Sequence, residues 1–162
     1  IIAMSHMEDI GPEPEGFDWD EEYGTHVLID TRGHFPRSER GLVDGHVYRS
    51  SPSKTRVQSF HAGSYGFYNR WREGLALFAA GVSAAAYWGD GGDSALPFYE
   101  LINFSDCEGV IGTEAASDLL TDFHEHHDAY VKSQTNPHDV EQYEHWIETC
   151  ETATDNGLIR FV

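Results

Sequence analysis

Apolar positions along this chain change period several times, and each change marks an element. From Ser64 onward, Tyr68, Trp71, Leu75, Phe78 and Ala79 fall on one face of a helical wheel, with Asn69, Arg70 and Glu73 on the other. That spacing predicts a helix capped by Ser64 and running to Gly81. Gly66 and Gly74 lie inside it and cost about 1 kcal/mol each against alanine, so close packing is expected at both. A second helix is expected from Thr113 as its cap. Ala116, Leu119, Leu120, Phe123, His127 and Tyr130 form its inner stripe, and Glu114 favours its positive end. A third starts with Asn136 as cap and Pro137 at the first helical position. It buries Val140, Tyr143, Trp146, Ile147, Cys150 and Ala153 and stops at Gly157.

Shorter apolar runs read as strands. Residues 26–30 and 42–50 would form a hairpin with a long loop, residues 97–104 a third strand opened by Pro97, and residues 158–162 a fourth. Glycines and aspartates make most of residues 82–94 a loop. This order predicts an α+β domain over residues 24–162: a small, mainly antiparallel sheet of about four strands, packed on one face by three helices. Residues 1–23 are set apart. Eight acidic residues with Gly11, Pro12, Pro14 and Gly16 make residues 8–23 a flexible arm. Phe17 and Trp19 are its docking-capable exceptions. Ser5-His6-Met7 resembles an expression-vector scar and is expected to stay outside the fold.

Charge alters this picture more than composition does. The chain of 162 residues carries a formal charge of −18. Eight of its ten basic residues (Arg32, Arg37, Arg40, Arg49, Lys54, Arg56, Arg70, Arg72) lie between positions 32 and 72 against only Glu39 and Asp44, leaving about −24 elsewhere. Such a surface repels nucleic acid and anionic membranes. The arginines are expected to pair with the chain's own carboxylates, the planar partner that a guanidinium suits best. Two cysteines, Cys107 and Cys150, lack the spacing of a zinc site or a redox motif, and a reduced cytoplasmic setting follows. No apolar stretch is long enough to span a bilayer. No cofactor is expected, and the oligomeric state is not legible.

Three places concentrate chemistry. In the loop Ser105-Asp-Cys-Glu-Gly109, Asp106 and Glu108 are candidates for a divalent cation or for acid and base duty. The competing reading is a turn in which Ser105 and Asp106 bond backbone amides. The two carboxylates flanking Cys107 disfavour a thiolate and argue against cysteine catalysis. On the second helix His124, His127 and Asp128 share a metal-compatible face, but the two-histidine zinc helix needs a histidine four residues after the first, and position 128 is aspartate. Around Ser64, with Arg70 and Arg72 nearby, free amides at a helix start could cradle an anion. No Walker or dinucleotide glycine pattern is present there.

Residues 61–73 (HAGSYGFYNRWRE) and 97–112 (PFYELINFSDCEGVIG) together resemble a family of small bacterial and phage proteins that has no established activity. The resemblance covers under a third of the chain and implies no catalytic residue or cofactor. It directs attention to a polar network of Ser64, Arg70, Arg72, Asp106 and Glu108, in which Arg70 or Arg72 reaches Asp106 or Glu108. Two functions are then expected to compete. One is a non-enzymatic, acidic module, immunity- or inhibitor-like, that binds a basic protein partner through carboxylates and exposed aromatics such as Trp19 or Trp88. The other is a metal-assisted hydrolase using Asp106, Glu108 and His124. Acidity imposed by a saline habitat is a third source of the charge.

Overall fold

The computed structural model describes residues 1–19, 24–30, 37–89 and 91–162. Its strands are β1 (Ile2–Met4), β2 (Glu8–Pro12), β3 (His26–Leu28), β4 (His46–Arg49), β5 (Val57–Ser59), β6 (Gly109–Gly112) and β7 (Leu158–Phe161). Its helices are α1 (Tyr65–Ala80), α2 (Tyr99–Ile102), α3 (Thr113–Ser133) and α4 (Pro137–Ala153), with a 3-10 turn at Ala84–Tyr87. The fold is α+β. A four-stranded antiparallel sheet runs β5-β1-β7-β6, and a three-stranded antiparallel sheet runs β2-β4-β3.

Alternation along β1 and β7 explains the layering, because successive side chains point to opposite faces. Ala3, Ile159 and Phe161 enter the larger core with the apolar stripes of α1, α3 and α4. Met4 and Leu158 face the other way and pack with Met7, Val27, Ile29 and Tyr48, on and beside the smaller sheet. The four-stranded sheet is therefore covered on both faces, by helices and by a second sheet, where the pattern led to one covered face.

Residues 1–12 correct the expectation of a detached arm. β1 lies between β5 and β7 at the centre of the larger sheet. Ala3, Met4, Ser5 and Met7 are buried, and Asn156 Nδ2 donates to Met7 O at 3.0 Å. Gly157 allows the backbones to close: a Cβ there would sit 2.0 Å from Met4 O. Seven residues are too few to show a period, so their tag-like letters concealed a central strand. Further along, Trp19 is half-buried, donating to Glu13 Oε1 at 2.6 Å and meeting Phe17 edge to face. The remainder of the expected arm, residues 20–23, lies outside the described residues.

α1 and α4 begin as expected: Ser64 Oγ accepts from Phe67 N, and Asn136 Oδ1 accepts from His138 N behind Pro137. Gly66 and Gly74 face open space, so close packing does not account for them. Thr113 is not a cap but the first residue of α3, and its hydroxyl donates instead to Ala153 O at 2.9 Å. The expected strand at residues 97–104 is α2 with its flanks. Every side chain from Phe98 to Phe104 is buried, and an apolar run without a polar face fits either a buried strand or a helix. Phe98 has φ 60°, and its N–H donates to the Asp122 carboxylate at 2.6 Å, which turns the chain into the helix. Burial raises the Asp122 carboxyl above its usual range, against the opposing pull of that N–H. The strand of this segment comes later, as β6.

Candidate functional site

The two motifs do meet. Asn69, Arg72 and Glu73 stand one turn apart on α1, and with residues 103–106, Ala84, Trp88 and Gly89 they line a cleft of about 550 Å³. Arg72 is buried, and its guanidinium donates to Leu101 O at 3.4 Å, to Phe104 O and to Asn69 Oδ1. Those carbonyls belong to α2 and the turn just beyond it, where a helix end leaves acceptors without partners. The guanidinium also lies 4.7 Å from the centre of the Tyr68 ring. Asn69 then passes the interaction on, its Nδ2 donating to Asp106 Oδ2 at 2.8 Å. Guanidinium, amide and carboxylate thus form a relay.

Several expected members of the network lie elsewhere. Arg70 sits over the Phe67 ring at 5.2 Å, and Ser64 caps α1. Glu108 is exposed, and its backbone N–H, like that of Cys107, goes to Ser105 Oγ at 3.2 Å. Ser105 thereby builds the turn, which leaves Asp106 to the relay. Direct contact between an arginine and Asp106 is replaced by Asn69, which the helical pattern had placed on the solvent face. An exposed amide one turn from a buried arginine gives no periodic signal.

Cys107 is exposed, with Sγ 3.6 Å from Ser105 Oγ, whereas Cys150 is enclosed in the core and burial pushes its thiol up. The proposed hydrolase set is not assembled: Asp106 bonds Asn69, while His124 Nε2 lies 3.9 Å from Glu151 on α4. Among the described residues no three His, Cys, Asp or Glu side chains gather as a metal site. His127 bridges Asp128 Oδ1 at 2.9 Å and Glu144 Oε1 at 2.7 Å, which ties α3 to α4.

Those two carboxylates, Asp128 first, raise His127 above its ordinary 6.5. The pairing contributes fully below 6.5 and is lost as pH rises through the higher folded value. Solvent screening at this exposed site keeps it under about 1 kcal/mol. Urea midpoints of the parent protein and Glu144→Gln should differ at about pH 6, where the carboxylate is ionised and His127 charged, and converge at high pH. A pH-independent gap would contradict the assignment.

Four arginines of the basic stretch pair with the chain's own carboxylates. Arg40 Nη2 reaches Glu100 at 2.8 Å and Asp118 at 2.5 Å, Arg37 lies 3.6 Å from Glu100, Arg49 meets Glu8 and Arg56 meets Asp155. Arg32 lies outside the described residues. Glu100, buried on α2, was missed. A lone glutamate inside an apolar run was its signal, because a buried carboxylate requires a cation. Gly112 completes that region: its N–H donates to Ser38 O at 2.7 Å, and a Cβ would lie 2.3 Å from Arg40 O.

Among the described residues, no helix is long and apolar enough to cross a membrane. Comparison with protein-family models, with curated proteins and with solved structures gave no match to this chain.

Proposed function

We propose that this chain is a non-enzymatic, acidic binding module of the cytoplasm that engages a basic protein partner in the manner of an immunity or inhibitor protein. One observation carries the reading. Four arginines are paired with the chain's own carboxylates and a fifth is held by carbonyls and an amide, so the excess of negative charge remains for a partner. Glu108, for example, is exposed. A field of that sign steers a cationic partner and speeds encounter, with strong dependence on salt. The relay through Asn69 orients Asp106 by engaging its Oδ2, which leaves Oδ1 to meet a donor of the partner. Two free thiols suit a reducing compartment.

The test is capture by the full chain from lysate of its source organism at low and high ionic strength. A stoichiometric partner of net positive charge, released by salt and binding again when purified, is the expected result. Capture of neutral or acidic partners insensitive to salt would overturn the reading, as would metal-dependent hydrolysis abolished by Asp106→Asn.

A further inference from the structure

We infer that the cleft between α1 and residues 84–89 is a socket for an arginine side chain of the basic partner, with Trp88 as its stacking wall and Asp106 and Glu73 as its carboxylates. This inference rests on the reading of the chain as an acidic module for a basic protein, and it names where that partner docks.

Trp88 is the first observation. It is 60% exposed, whereas Trp71 and Trp146 are buried in the core and Trp19 is tied to Glu13. Among the described residues no other ring packs against it. Yet its loop is clamped on both sides. Glu73 Oε2 accepts from Ala84 N at 2.7 Å, and Asn103 Oδ1 accepts from Gly89 N at 2.9 Å. Asn103 is itself held, donating from Nδ2 to the Tyr99 hydroxyl at 2.8 Å, and the neighbouring Tyr87 is buried. A large indole presented to water on a fixed loop adds little to folding. At an interface it is the residue type that most often dominates binding.

Charge decides the sign of the occupant. Glu73 and Asp106 line the cleft against a single cation, Arg72. The Arg72 guanidinium is already directed at Leu101 O, Phe104 O and Asn69, which makes it part of the floor and a poor receptor for an anion. The wall that remains is anionic and aromatic, inside a molecule of charge −18. A guanidinium satisfies both properties at once, because its plane stacks on an indole while its N–H groups fork onto a carboxylate. An ammonium is more strongly hydrated and lacks the planar face.

The experiment titrates hexa-arginine, hexa-lysine and free arginine amide into the full-length protein and into Trp88→Ala, Trp88→Phe and Asp106→Asn by calorimetry. Thermal unfolding of each variant confirms that it is folded. Hexa-arginine should bind more tightly than hexa-lysine. Trp88→Ala should weaken it about tenfold, and Trp88→Phe should lie between. Free arginine amide should bind weakly at the same site and compete with the peptide, losing affinity in the same variants. Hexa-arginine affinity unchanged in Trp88→Ala and Asp106→Asn would overturn the socket while leaving the acidic-module reading intact. Absence of binding by either hexapeptide to the parent protein would overturn both.

Discussion

Deleting residues 1–7 is expected to abolish cooperative folding. β1 pairs with β5 through Ile2↔Ser59, Ala3↔Gln58 and Met4↔Val57, and with β7 through Ile2↔Arg160, Ala3↔Ile159 and Met4↔Leu158. Its removal leaves two strands facing a gap in the centre of the sheet, with unpaired backbone groups that the surrounding layers keep from water. Met4 and Met7 leave the smaller core at the same time, and Ala3 leaves the larger one. Full burial of a methionine contributes about 1.5–3 kcal/mol, and a domain of this size has about 5–15 kcal/mol in total. The measurement is urea unfolding followed by far-ultraviolet circular dichroism. The shortened chain should show no cooperative transition. A detached arm would instead leave the midpoint unchanged, and that result would refute the central placement of β1.

Arg72→Met is the second large effect. Methionine preserves much of the apolar stem against Tyr68 but removes the donors to Leu101 O, Phe104 O and Asn69. Acceptors left buried without a donor cost about 1–3 kcal/mol each. A loss of about 3 kcal/mol is expected after partial relaxation, read as a fall in urea midpoint at unchanged slope. The turn at residues 103–106 should loosen as well, and hydrogen exchange at Cys107 and Glu108, whose amides rest on Ser105 Oγ, reports it. Asn69→Ala, at an exposed position, should cost about 1 kcal/mol, the worth of an ordinary hydrogen bond. Equal costs for the two variants would show that the guanidinium is not the anchor of the relay.

Three long helices were legible from their 3.6-residue apolar period, to which α1 and α4 add a local start. Asn136 with Pro137, and Ser64, are signals carried by a few adjacent residues. β7 was legible because a glycine separates it from α4. Residues 97–104 were misread because an apolar run buried on all sides carries no period. Only the Asp122 carboxylate at Phe98 N and the Arg72 guanidinium at the far end make it α2. At the candidate site, the sequence supplied the two motifs and the arginine but not the amide between them.

What the order of residues determined by itself was local or additive: the amphipathic helices, the caps of α1 and α4, the α+β class and the excess of negative charge. These depend on neighbours within about one or two helical turns, or on sums over the whole chain. Tertiary structure alone decided that Ile2–Met4 is a central strand, that Glu100 is the partner of Arg40, and that Asn69 stands between Arg72 and Asp106. Each joins residues distant in sequence, or chooses among several nearby partners of similar chemistry. That choice is made by the packing of layers around buried polar groups, which must find a partner wherever the fold has placed one.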